Sequence, residues 1–338
     1  MRVKFLPANT ILDERYQIAN VLGKGGSGVV YKAIDLNTNQ TVAVKVLTVN
    51  EFDPRAAMQR QYFQREVGLL KKVSHPNIIH ILDSGISDEG QPYLITDYID
   101  GQSLKSIMKT GLLSLEKIAY IFEQVAQALQ AIHDQRIIHR DFKLQNILIS
   151  QNHQPEIVKL LDFGIAKMLR GSGEEAYLHT ITTKGVITGT LQYMSPEQCQ
   201  GQTLDERTDI YSMGITAYEM LSGRLPFDNA SSVGIILMHV EAPVPAIENI
   251  PKPVERVIMH ALEKLPENRF ACAIDFSKAF SSAVAEVKKS GTVVIAGNGA
   301  SAEQDTQAFS TEFTEAPTAE HQNPKKSLWG SVKEKLKF

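Results

Sequence analysis

Gly23-Lys24-Gly25-Gly26-Ser27-Gly28-Val29-Val30-Tyr31-Lys32-Ala33-Ile34 is the stretch on which the fold turns. Glycine has no Cβ, so a run this rich in it lets the backbone turn tightly and bring bare N–H groups against the oxygens of a phosphate. Taken alone, the run is just as well a plain hairpin turn. Its flanks narrow the choice. A dinucleotide fold needs a helix to open directly after the glycines, yet Val29 to Ile34 continues as a strand. A Walker loop ends in Gly-Lys-Ser/Thr, and that ending is missing. The arrangement left is strand, loop, strand, a lid that could cover a nucleotide.

Outward from this loop, residues from about Tyr16 to Thr48 read as strands, with Thr41-Val42-Ala43-Val44-Lys45-Val46-Leu47 rich in β-branched residues. Asp53-Pro54 makes a helix start, and Phe63, Val67, Leu70 and Val73 then recur at helical spacing, with Glu66 near that face. Short strands are predicted near Ile79 to Leu82 and Tyr93 to Thr96. After Gly101 the period changes. Ser114 is a good N-cap for a helix carrying Leu115, Ile118, Phe122, Val125, Leu129 and Ile132 on its core face. Further helices are predicted over Thr208 to Ser222, Pro253 to Leu265 and Ala273 to Lys288. A strand-rich front and a helix-rich back make the fold class α+β.

Composition bounds the partners. Lys and Arg total 35 against 38 Asp and Glu, a formal charge of -3 that leaves no footprint of a nucleic-acid binder. Cys199 and Cys272 lack the spacing of a zinc or redox motif and make no disulfide framework, so a reducing cytoplasm is expected. Met1 to Pro7 does not read as a secretory signal. Apolar runs such as Ile235 to Met238 and Thr292 to Ala296 fall far short of the roughly 18 residues that span a bilayer. From Ser290 to Pro324 the chain holds Glu303, Asp305, Glu312, Glu315 and Glu320 but no Lys or Arg, which reads as a disordered acidic tail. Residues 325–338 reverse the sign: five lysines against Glu334, with Trp329, Val332 and Leu336 on one helical face. That segment could lie on an anionic membrane or bind a partner.

Four motifs then stand in order: Val42-Ala43-Val44-Lys45; His139-Arg140-Asp141-Phe142-Lys143-Leu144-Gln145-Asn146; Asp162-Phe163-Gly164; and Ser195-Pro196-Glu197. In this order, after the glycine loop, they resemble the eukaryotic-type serine/threonine protein kinases, and Gly189-Thr190-Leu191-Gln192-Tyr193-Met194-Ser195-Pro196-Glu197 gives the chain a bacterial look. The resemblance runs from about Tyr16 to Val287. It implies a bilobal protein-kinase fold, with a small antiparallel sheet and one helix over about 16–97 and a larger, mainly helical lobe over about 98–288. Residues 1–15 would be an N-terminal extension, 289–324 the acidic Ser/Thr-rich tail, and 325–338 the basic amphipathic end.

The resemblance also implies roles. Lys45 would hold the α and β phosphates of ATP and pair with Glu66. Asp141 would accept or orient the proton of the substrate hydroxyl, and Lys143 would steady the transferring phosphate. Asn146 and Asp162 would hold magnesium, or manganese in its place, through hard oxygens. Gly23, Gly25 and Gly28 would cover the phosphates. Adenine would lie between Leu22, Val30 and Ala43 on one side and Leu148 on the other, with Thr96 behind it and the backbone from Asp97 to Ile99 for hydrogen bonds. His139 and Phe163 read as packing. Lys143 and Thr190 imply serine/threonine specificity, while Glu197 with Arg269 and Asp209 would be structural.

Arg140 beside Asp141 implies a loop ordered by a phosphate. Thr182 and Thr183 are the leading candidates for autophosphorylation, with Thr180 and Thr188 behind them, and a transient dimer would serve that step. Leu144, Ser195 and Asp97 depart from the family's usual Pro, Ala and Glu, and none removes a catalytic atom. Two other readings stand beside active catalysis. One is a pseudokinase scaffold, against which Lys45, Asp141, Asn146 and Asp162 are all present. The other is an interaction protein whose tail threonines, Thr311, Thr314 and Thr318 among them, are read by a phosphothreonine-binding partner.

Overall fold

Alternation along the first strands decides which way their side chains face, because successive residues of a strand point to opposite sides. The computed structural model describes residues 5–25, 28–49, 54–150, 155–162 and 191–290. In it β1 (Ile11–Leu12), β2 (Tyr16–Gly25), β3 (Gly28–Asp35), β4 (Gln40–Leu47), β5 (Ile81–Ile86) and β6 (Pro92–Asp97) form an antiparallel six-stranded sheet in the order β1-β2-β3-β4-β6-β5. Its outer face buries Leu12, Tyr16, Ile18, Val29, Tyr31, Val42, Val44 and Ile95 in one small cluster. The inner face carries a row across four strands: Gly23 pairs with Val30, Val30 with Lys45, and Lys45 with Leu94.

Two features of this sheet exceed the sequence reading. The strand β1, in the stretch set down as an extension, pairs with β2 through Ile11 with Gln17 and Leu12 with Tyr16; two residues are too few to show an alternating pattern. Gly28 is required by the sheet itself. Its φ is +150°, and a Cβ placed there would sit 2.0 Å from the carbonyl oxygen of Val46. Gly28→Ala is therefore expected to destabilise the sheet by at least about 2 kcal/mol, since both the backbone and the neighbouring strand must move. Chemical denaturation of the purified variant checks this.

The helix α1 (Ala56–Leu70) buries Phe63, Val67 and Leu70, as the spacing predicts, and starts at Ala56 without a side-chain cap; Asp53 lies outside the described residues. A three-stranded sheet of β7 (Gly101–Ser103), β8 (Ile147–Ser150) and β9 (Val158–Leu160) follows, with the short helix α2 (Leu104–Ile107). The helix α3 (Leu115–His133), the longest among the described residues, is capped by Ser114, whose hydroxyl accepts from the Lys117 N–H at 3.2 Å. Behind it come α4 (Pro196–Gln200), α5 (Arg207–Ser222), α6 (Ser232–Glu241), α7 (Lys252–Ala261) and α8 (Ala273–Lys289). Phe276 and Phe280 of α8 meet Phe122 of α3 edge-on, at 5.3 and 5.5 Å between ring centres. Such geometry lets the positive ring edge face the negative ring face.

The sequence reading missed α4, α6 and the small sheet, and carried α7 too far, to Leu265. The reason for α6 is plain: it is apolar nearly all round, and Val233 and Leu237 stay 58% and 40% exposed, so no 3.6-residue stripe marks it. Among the described residues, no helix is long and apolar enough to cross a membrane.

Candidate active site

The inner face of the six-stranded sheet forms one wall of a cleft of about 430 Å³, within the usual size range of small-molecule sites. Leu22, Gly23, Val30, Ala43, Lys45, Thr96, Asp97, Ile99, Asn146, Leu148 and Asp162, all singled out from the sequence, line it. The lining also includes Ile81, Leu94 and Leu161, which the sequence reading did not name. Gly25, Gly28, Glu66, Asp141 and Lys143 are not part of its wall. Gly25 and Gly28 lie on the hairpin above it, paired with each other.

On the other wall the turn from His139 to Asn146 leads into β8. Its conformation is imposed by Asp209 of α5, fully buried, whose two carboxylate oxygens accept the backbone N–H groups of His139 at 2.7 Å and Arg140 at 2.9 Å. Arg140 is thereby held at φ +63°, a region costly for a side chain with a Cβ. His133, at the end of α3, lies 2.8 Å from the same carboxylate through Nε2. Burial pushes the Asp209 carboxyl up, but His133 and the neighbouring donors outweigh it and hold its pKa below the usual value. Nothing in the sequence marks His133 for this task except its place at a helix end.

His139 is fully buried and its pKa is lowered by that burial. Its Nδ1 accepts the Asp141 N–H at 3.3 Å, which makes Nε2 the protonated nitrogen, donating to the Leu161 carbonyl at 2.9 Å. This neutral tautomer ties the turn to the segment before Asp162.

The Asp141 carboxylate is held from two sides. Lys143 Nζ lies 2.7 Å from its Oδ2, and the Asn146 amide donates to the same oxygen at 3.3 Å and to the Asp141 carbonyl at 2.8 Å. Both side chains of the lysine–aspartate pair are about 15% exposed. Three residues within six positions thus lock one another.

Lys45 does not take the partner expected for it. Its ammonium lies 2.6 Å from Asp162 Oδ1, and among the described residues no ion pair joins it to Glu66. The cause is placement. Lys45 belongs to the sheet row that faces the cleft, and Asp162 enters that cleft from the opposite wall. A partly buried cation goes to the carboxylate within reach, since an unpaired charge there is costly. Asp162 itself has φ +48°.

Glu197 and Arg269 form the structural pair expected of them. The guanidinium grips the carboxylate through both of its ends at 2.8 Å, with 0% and 3% of the two side chains exposed. Its remaining N–H groups donate to the carbonyls of Glu263 at 2.8 Å, and of Arg207 and Lys264 at 2.9 Å, so every donor of the fork is used. A further buried link was not read from the sequence: Tyr193 donates to Glu219, which also pairs with Lys105 at 2.5 Å. Phe163, the loop candidates Thr180, Thr182, Thr183 and Thr188, and Thr190 lie outside the described residues, as does the tail from 291 on.

Comparison with known proteins bears on the same residues. The family described as the protein kinase domain matches residues 16–280. A probable serine/threonine-protein kinase of Clostridium acetobutylicum is 40% identical over 266 residues, covering 77% of this chain and 38% of that protein. The serine/threonine-protein kinase PknB of Mycolicibacterium smegmatis is 37% identical over 273 residues, covering 78% of this chain and 42% of its own. The chain spans about two fifths of the length of these relatives. The kinase domain of Mycobacterium tuberculosis PknI superposes with a TM-score of 0.64 at 24% identity, over 83% of this chain and 100% of that one, a likeness of fold. The order of the motifs, the cleft they line and the match over residues 16–280 agree, and the chain belongs to the protein kinase domain family.

Proposed function

We propose that this chain is a serine/threonine protein kinase that transfers the γ-phosphoryl group of ATP to hydroxyls of protein substrates. The observation that carries this reading is Asp141, held by Lys143 and by Asn146, the latter lining a cleft whose other wall offers Lys45. Val30, Ala43 and Leu148 make apolar surfaces for a planar base, with the backbone of Asp97 to Ile99 beside them for hydrogen bonds. Lys45 brings positive charge to the phosphates. Asp141 accepts or orients the proton of the attacking hydroxyl, and Lys143 balances charge on the transferring group.

The residues fit a divalent cation. Asn146 and Asp162 line the same cleft, and the Asn146 amide nitrogen is committed to Asp141, which leaves its oxygen for the metal. Magnesium takes few protein oxygens besides phosphate and water, and manganese accepts the same donors. When bound, the cation neutralises negative charge on the phosphates.

Lys143 and Thr190 support specificity for serine and threonine. Thr182 and Thr183, then Thr180 and Thr188, are the proposed autophosphorylation sites, their phosphate answering Arg140, in a signalling role. The kinase domain is assigned to 16–288, with residues 289–324 as a tail whose phosphothreonines a partner reads. Residues 325–338 are assigned a peripheral contact with an anionic membrane, on the cytoplasmic side. The test is transfer from labelled ATP with magnesium, comparing the wild type with Asp141→Asn and mapping the modified residues by mass spectrometry. A wild type that binds ATP yet transfers nothing would overturn the reading in favour of a scaffold.

A further inference from the structure

We infer that Phe5 is a positioning residue for the glycine hairpin, holding it from outside through Lys24; this rests on the reading above of the cleft as a nucleotide site. Lys24 stands between Gly23 and Gly25. It pairs across the hairpin with Val29, whereas Gly23 pairs with Val30. Val30 lines the cleft and Val29 belongs to the outer cluster, so Lys24 projects to the outer face, away from any phosphate. There its ammonium lies 4.8 Å from the centre of the Phe5 ring, a cation held over an aromatic face.

Phe5 is 47% exposed, so core packing does not fix it. The chain behind it does. The Leu6 N–H donates to the Tyr31 hydroxyl at 3.0 Å, the Asn9 N–H donates to the Ile18 carbonyl at 2.7 Å, and Ile18 returns a bond to Thr10 at 2.8 Å. With β1 paired to β2, residues 5–12 form a strap fastened at intervals along the outer face. Its far end reaches the hairpin. A cleft of about 290 Å³, lined in part by Leu6, Val29 and Val46, runs beside it, and Leu6 and Leu12 pack the strap on the outer cluster.

The β3 arm of the hairpin is pinned to β4 through Gly28 with Leu47 and Val29 with Val46, whereas among the described residues Gly23 to Gly25 of the β2 arm pair only with β3. A Cβ added at Gly23 or Gly25 would meet nothing within 4 Å, and the β2–β3 register shifts between Ile18 and Asn20 and again between Val21 and Gly23. Such irregularities let a strand bend. The height of the hairpin over the cleft is therefore set in part by the Phe5–Lys24 contact. Losing that contact weakens nucleotide binding and leaves the transfer step, which Asp141 and Lys143 govern, nearly untouched.

The experiment compares Phe5→Ala, Phe5→Tyr and Lys24→Met with the wild type in the full chain. Steady-state transfer to a generic basic protein acceptor is measured over a range of magnesium-ATP, and tryptic cleavage after Lys24 is timed separately in the Phe5 variants. Phe5→Ala is expected to raise KM for ATP roughly two- to five-fold, the worth of an exposed cation–π pair, with kcat within about two-fold. Phe5→Tyr should match the wild type, cleavage after Lys24 should quicken in Phe5→Ala, and Phe5→Ala should add nothing in the Lys24→Met background. An unchanged KM, or a further rise in that background, would overturn the inference. A wild type silent in transfer would sink the kinase reading instead, and the proteolysis, which needs no catalysis, would still decide the strap: cleavage unaltered by Phe5→Ala overturns it.

Discussion

Asp141→Asn is expected to lower kcat by about 10²–10⁴-fold, the usual worth of a positioned general base, while ATP binds within about two-fold of the wild type. The two side chains have the same shape, so the turn from His139 to Asn146 keeps its anchors on Asp209, which bind backbone N–H groups and not the Asp141 side chain. What changes is charge and basicity. An amide cannot take the proton of an attacking hydroxyl, and it no longer balances Lys143, 2.7 Å from Oδ2 in the wild type. An interaction made mainly in the transition state shows as equal losses in kcat and kcat/KM. Rapid-quench measurement of single-turnover transfer, with ATP affinity measured separately, checks the split. A large rise in the ATP dissociation constant would assign Asp141 to binding instead.

Arg269→Ala is expected to be the most damaging change to stability, costing about 3–5 kcal/mol, because it leaves the Glu197 carboxylate buried without its partner. For a domain of this size that corresponds to a fall of roughly 6–20 °C in the melting temperature, read by calorimetry. The acid side gives a second readout. Burial pushes the Glu197 carboxyl up, but the Arg269 fork outweighs it and holds the pKa below the ordinary 4.5. A carboxyl depressed in the folded state contributes stability that is fully present above its unfolded pKa and is lost as pH falls through the folded one. The wild type should therefore lose stability below about pH 4.5 more steeply than Glu197→Gln, which carries no such titration. Replacing both partners by apolar residues, Glu197→Leu with Arg269→Met, should recover part of the loss, since no buried charge is then left alone. Equal damage from the double and the single variants would place the cost in packing.

Much of this fold is written locally. The alternation of Val42 and Val44 against Ala43 and Lys45 assigns the two faces of β4, and the structure puts the first pair in the outer cluster and the second in the cleft. The recurrence of Ile118, Phe122, Val125, Leu129 and Ile132 behind Ser114 fixes α3 and its buried face. The spacing of Asp141, Lys143 and Asn146 encodes a turn in which the three touch. In each case the governing interactions lie within a few residues of chain, so the period and the spacing carry the information.

Other features leave no such trace. β1 is two residues long, and α6 is apolar on too many sides for a stripe to show. His133 joins Asp209 only because the end of α3 arrives beside α5. Sequence patterns alone established the α+β lobes, most of the cleft residues and the turn that joins Asp141, Lys143 and Asn146. Tertiary structure alone decided that Lys45 meets Asp162 rather than Glu66, that Lys24 faces Phe5 rather than the cleft, and that Arg269 spends every donor on Glu197 and three carbonyls. The physical reason is range: a charge or a ring takes the partner that packing brings within a few ångströms, and that distance depends on how elements far apart in the chain come to rest on one another.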